Sequence, residues 1–158
     1  MIETPYVNEC LRLLKKAECP QRVIIHSLKV KDIALELNNK LTHPFQENLI
    51  ICAALLHDIL RTQPHHAYKS GQYLRSLGYG RIARIVECHD DLNDFHFDER
   101  HVIYLADKFV LNDHVVTLEE RYLNKYAQLN DPTAKLCCLK RYQQAKTIYK
   151  IYERMCSE

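Results

Sequence analysis

The segment Leu49-Ile50-Ile51-Cys52-Ala53-Ala54-Leu55-Leu56 constrains this chain most, because it is apolar throughout and runs straight into His57-Asp58. Such a stretch, lying between other helices, is satisfied most simply by a central helix buried on most sides. An aspartate delivered to the end of that helix needs a partner if it is buried, since an isolated carboxylate is expensive to remove from water. A metal ion or a hydrogen-bonded cation supplies one. The bland alternative leaves Asp58 exposed at the helix end, with His57 hydrogen-bonded internally.

The rest of the chain reads as helix after helix. Only three glycines occur, at Gly71, Gly78 and Gly80, and no alternating β-branched run bounded by turn residues marks a hairpin. The predicted fold class is all-α. A first helix is expected over about Tyr6–Ala17, and a second from the break at Pro20 to about Asn39. The central helix follows, with His57 and Asp58 near its end. The turn Thr62-Gln63-Pro64 leads to a fourth helix that stops near Leu77-Gly78. Further helices are expected over about Arg81–His89, Val102–Leu111, Leu118–Tyr126 and Pro132–Met155, with the acidic loop Asp90-Asp91-Leu92-Asn93-Asp94 closing the first of these.

At 158 residues and 47% hydrophobic content, the chain suits one domain over residues 1–158, with a core of about 20–125 and a C-terminal helical extension of about 132–156. No apolar run approaches the roughly 18 residues of a membrane span, and Met1-Ile2-Glu3-Thr4-Pro5 lacks the basic and apolar regions of a signal peptide. A cytoplasmic location without membrane attachment is expected. The seven cysteines form no C-x-x-C pair and are odd in number, which favours reduced thiols. Cys88, beside His89, reads as core filler, because neighbouring helical residues point about 100° apart. The net charge of +2 argues for no nucleic-acid partner.

Two further polar residues interrupt apolar segments. His26 sits among Val23, Val30, Ile33 and Ala34, and Asp107 is flanked by Tyr104, Leu105, Ala106, Phe109 and Val110. Histidine is the commonest metal ligand and enters an apolar site when both nitrogens are used. Any one of these histidines could be a satisfied core residue. Together with His57 and Asp58, the intrusions call for something that gathers them.

In this order and spacing, His26, His57-Asp58 and Asp107 resemble the H…HD…D pattern of the HD superfamily of metal-dependent phosphohydrolases. The resemblance spans about Arg22–Tyr122 and implies a five-helix catalytic bundle with helices added at either end. Members with a second metal carry two more histidines between the HD pair and the last aspartate. His66 and His89 match those positions; His65 competes with His66, and the distance to the helical pattern ending at Leu74 favours His66. The resemblance implies that Asp58 bridges two ions, with His26, His57 and Asp107 on one and His66 and His89 on the other. Iron or manganese is implied as the cofactor, one or two ions per chain, with magnesium, nickel, cobalt and zinc also compatible.

Such a site points to a metal-activated water attacking a phosphoester or phosphoanhydride of a nucleotide-like small molecule. Asp58 and Arg61 are the expected catalytic residues. Arg61, three residues after Asp58 and four after His57, would share their helical face and bind a substrate phosphate. Lys29 and Lys108 are weaker substrate-binding candidates, with a solvated rim position as their default. The stretch Cys88-His89-Asp90-Asp91-Leu92-Asn93 lacks the glycine-tyrosine-proline ending of the cyclic-dinucleotide phosphodiesterase branch, which disfavours that activity. The segment from Ala106 to Tyr122 is similar to small HD proteins found with nucleotidyltransferases of the molybdenum-cofactor type. Small di-iron HD hydrolases of symmetrical dinucleoside tetraphosphates offer a second likeness. Two alternatives stay open beside hydrolysis: a di-iron HD oxygenase, and a binding or regulatory partner of a nucleotidyltransferase. Homo-oligomerisation is also left open.

Overall fold

The computed structural model describes residues 4–157, and within them the apolar run forms most of the third helix. The elements are α1 (Val7–Lys16), α2 (Gln21–Asn39), α3 (Glu47–Leu56), α4 (His66–Ser76), α5 (Gly80–Val86), α6 (Glu99–Lys108), β1 (Val110–Leu111), β2 (His114–Val115), α7 (Leu118–Gln128) and α8 (Pro132–Ser157). Residues 1–3 and 158, part of the expected span 1–158 and of the N-terminal reading, lie outside the described residues. The fold is all-α, with one minimal hairpin added.

α3 is the centre. Leu49, Ile50, Cys52, Ala53, Ala54, Leu55 and Leu56 are each at most 1% exposed, so nearly every face of the helix is covered. Each large side chain so enclosed contributes about 1.5–3 kcal/mol through removal from water. α2 packs along α3 and also against α6. α1 closes another side, where Asn48 Nδ2 and Cys52 Sγ both donate to the Pro5 carbonyl, at 3.0 and 3.1 Å. α8 lies against α6 and α7, and its Tyr152 hydroxyl donates to the Leu37 carbonyl at 2.9 Å. All seven cysteines are free, with Cys52 buried and Cys88 half-buried.

The structure departs from the sequence expectations at element ends. α6 begins at Glu99, ahead of the expected Val102, because Asp98 caps it by accepting from the Arg100 amide while His101 Nδ1 accepts from the Asp98 amide. It ends at Lys108, where the chain turns into the unexpected hairpin, with Val110 paired to Val115 and Leu111 to His114. Strands of two residues are too short to show alternation. Asn112 in the turn has φ of 59°, the left-handed conformation that asparagine tolerates better than most residues. α5 stops at Val86, so His89 stands beyond the helix.

Candidate metal centre

His57 and Asp58 follow α3 directly, in a series of tight turns held by Ile59 N to Leu56 O at 3.2 Å and Arg61 N to Asp58 O at 2.9 Å. The sequence places the pair on the helix; the structure places it at the point where the backbone leaves it. His57 is fully buried and Asp58 is 5% exposed. His26 reaches them from α2, Asp107 from the last turn of α6, His66 from the first residue of α4 and His89 from the turn after α5. His65 is exposed and takes a left-handed φ of 54° before α4, so His66 is the histidine that faces Asp58.

Asp58 divides the histidines into two sets. Its Oδ2 faces His57 Nε2 at 3.4 Å and His26 Nε2 at 3.9 Å, and its Oδ1 faces His66 Nε2 at 3.3 Å and His89 Nε2 at 3.2 Å. Asp107 Oδ1 completes the first set, 3.0 Å from His26 Nε2 and 3.4 Å from His57 Nε2. Neighbouring ligand atoms on one ion, with bonds of about 2.1 Å, lie roughly 3 Å apart, and these separations are of that order. Three overlapping triads can each hold an ion: His26-His57-Asp58, His57-His89-Asp107 and Asp58-His66-His89.

Backbone carbonyls orient three of the imidazoles. Nδ1 of His57 lies 2.7 Å from the Ala54 carbonyl, that of His89 lies 2.7 Å from the Val86 carbonyl, and that of His26 lies 2.7 Å from the Asn112 carbonyl. A carbonyl only accepts, so each Nδ1 carries the proton and each Nε2 is turned into the cluster. The hairpin therefore has a local purpose: its left-handed Asn112 presents the oxygen that holds His26.

The electrostatics favour added positive charge. Burial pushes the His57 pKa down, but Asp58 and Asp107 outweigh burial and hold it well above the ordinary imidazole value. Burial likewise opposes ionisation of Asp58, yet His57, His66 and His89 keep it far below the usual carboxylate range. Asp107 behaves in the same way under Lys108, His26 and His57. Two buried atoms of the cluster, His57 Nε2 and Asp58 Oδ1, have no hydrogen-bond partner. Each such orphan costs about 1–3 kcal/mol, and a cation lodged between these groups satisfies both. The residues fit a divalent metal.

A cavity of about 420 Å³ opens over the cluster, and Arg22, Arg61 and Arg121 lie along it. Arg61 is half exposed, with Nε 3.8 Å from Asp58 Oδ2, so the turn delivers it to the mouth without helical register. Arg121 donates through Nη1 to the Asp107 and Val110 carbonyls at 2.9 and 2.7 Å, satisfying acceptors at the end of α6. Lys29 is half-buried and does not line this cavity. Lys108 is turned inward, away from the rim position expected for it: its ammonium donates to the His89 carbonyl at 2.9 Å and to Asp107 Oδ2 at 3.1 Å. Lys108 is only 5% exposed, its ammonium lies 4.8 Å from the centre of the Tyr104 ring, and its charge offsets that of Asp107.

Sequence reasoning passed over Asp90, Arg22 and Arg121. Asp90 places Oδ2 3.4 Å from His66 Nε2 and Oδ1 3.5 Å from His89 Nε2. In the sequence it is one of several acids in a polar loop. Only its adjacency to His89 could have raised it.

Residues 23–112 match the protein family described as HD domain. The chain belongs to that family. The match runs from α2 to the hairpin and contains every residue of the cluster, from His26 to Asp107. HD domains bind divalent metals and are in general metal-dependent phosphohydrolases. α8 and all of α7 lie beyond the matched HD domain residues. Searches of the curated proteins and of the solved structures each found no significant match. Among the described residues of this HD domain protein, no helix is long and apolar enough to cross a membrane.

Proposed function

We propose that the chain is a phosphohydrolase that cleaves a phosphoester or phosphoanhydride of a nucleotide-like small molecule. The observation that carries this reading is the division of the histidines between the two oxygens of Asp58, on the floor of a cavity edged by three arginines. His26, His57, Asp58 and Asp107 would hold one cation, and Asp58, His66 and His89 a second, iron and manganese being the metals such mixed imidazole and carboxylate ligands suit. Bound there, divalent cations supply Lewis acidity and a water of lowered pKa.

The chain's own groups do the rest. Arg61, beside Asp58 at the cavity mouth, binds phosphate oxygens, and its guanidinium can do so with two parallel hydrogen bonds. Arg22 and Arg121 extend the positive edge and orient an anionic substrate over the cluster. That edge favours hydrolysis of a phosphorylated substrate over the di-iron oxygenase alternative, which would share the same ligands. It equally favours an enzyme over a purely regulatory partner of a nucleotidyltransferase.

The test is phosphate release by protein reconstituted separately with iron, manganese and other divalent ions, offered mononucleotides, dinucleoside polyphosphates and sugar phosphates. Turnover is expected in the wild type and absent in Asp58→Ala, while Arg61→Ala raises KM with metal content near normal. Full turnover in Asp58→Ala, or none in a wild type that holds its ions tightly, would rule the reading out.

A further inference from the structure

A second cavity, of about 350 Å³, adjoins the first and shares Asp90, Leu111 and Arg121 with it. Its remaining walls come from α6, α7 and α8, with Lys108 from α6, Lys125 from α7 and Arg141 from α8. Elsewhere on the surface, Arg12, Arg75, Arg84 and Arg100 are each paired with a carboxylate. Lys125 and Arg141 are exposed, and among the described residues neither forms an ion pair. Asp90 is the one carboxylate among the residues lining this cavity, and both of its oxygens face His66 and His89 on the other side. The amides of Asn124 and Gln128 add neutral donors. Asp107 Oδ2 faces two of the lining cations, Lys108 Nζ at 3.1 Å and Arg121 Nη2 at 4.0 Å. Lys125 and Arg141 are therefore the cations that the cleft presents with no acid turned toward them.

We propose that this cleft is a second anion subsite, which takes a phosphate of the substrate remote from the one lying over the metal cluster. The inference rests on the proposed phosphohydrolase reading and narrows it: the substrate class is a small molecule with more than one phosphate, such as a nucleoside polyphosphate. Arg121 is the hinge of the arrangement. It is fixed by two backbone carbonyls and lines both cavities, so it stands between the two phosphates. Cations in a cleft with low-dielectric walls focus the field and raise the local concentration of an anionic ligand. The subsite also gives α8 a role, because Arg141 brings the C-terminal helix to the substrate.

The experiment measures binding by calorimetry to manganese-loaded protein, using adenosine 5′-(β,γ-methylene)triphosphate and adenosine 5′-monophosphate as probes. The double variant Lys125→Ala/Arg141→Ala, whose side chains are exposed, should keep the wild-type thermal midpoint. It is expected to bind the triphosphate analogue about tenfold more weakly and the monophosphate within twofold of wild type, the difference shrinking at high salt. Equal loss for both probes, no loss for either, or a wild type that binds the two alike would overturn the proposal. If the phosphohydrolase reading alone fails, phosphate release is absent while the tenfold difference in binding persists.

Discussion

At Asp90 a carboxylate with about half of its side-chain surface open to water nevertheless directs both oxygens at imidazoles that are largely buried. A solvated acid has no reason to adopt that pose. The pose suits a further ligand beside His66 and His89. Asp90→Asn keeps the volume and removes the charge, and it is expected to weaken an ion held at His66 and His89 by about 10–100-fold while one held at His26 and Asp107 stays bound. Metal content after dialysis against graded chelator measures this, and unchanged release of both ions would remove Asp90 from the site. The gathering of six residues into one cluster was legible because His26, His57, Asp58 and Asp107 each interrupt an apolar segment, and His66 and His89 fall where the family pattern puts them. Asp90 and Arg121 lie in charged surroundings, where a functional side chain shows no contrast with a solvated one. Lys108 misleads in the opposite direction, since a lysine beside an aspartate reads as a rim cation until the fold shows its ammonium closed off under the His89 carbonyl.

Two elements must approach closely for His66 and His89 to meet, and Gly71 is where α4 and α5 touch. A Cβ at Gly71 would lie 2.8 Å from Glu87 Cβ and 3.2 Å from the Ala83 carbonyl, and neither neighbour is the far end of a flexible chain. Arg75 fastens the same contact through two hydrogen bonds to Glu87, at 3.0 and 3.1 Å. Gly71→Ala should therefore push the helices apart and destabilise the protein by about 1–3 kcal/mol, against the small gain that alanine brings to an open helix. Chemical denaturation checks this; a stabilised variant would show that the helices yield freely. Metal held at the proposed second position should weaken in step with the displacement of His66 from His89. At this scale the helices were readable from three- and four-residue spacing, and the order of elements followed. Their ends were less so. The cap at Asp98 and the hairpin after Lys108 depend on single side chains and on one left-handed asparagine, which leave no periodic trace.

Across the whole molecule, the residues of the cluster come from α2, the turn after α3, α4, the turn after α5, and α6, so the cluster ties together segments far apart in the chain. The unfolded chain cannot reproduce that assembly, and a cation bound only by the folded state stabilises it by mass action. At a free metal concentration 100 times the Kd the gain is about 2.7 kcal/mol. For a protein of this length each kcal/mol moves the thermal midpoint by about 2–4 °C, so metal should raise it by roughly 5–11 °C. Excess chelator should return the midpoint to its starting value, and Asp58→Asn, which removes the oxygen charge shared by both histidine sets, should abolish the rise. The variant is expected to fold, because the amide relieves the burial of a charge while the apolar shell of α3 remains intact. A metal-induced rise of equal size in Asp58→Asn would mean that the ion binds elsewhere, and the division of the histidines by Asp58 would then have no bearing on where metal is held.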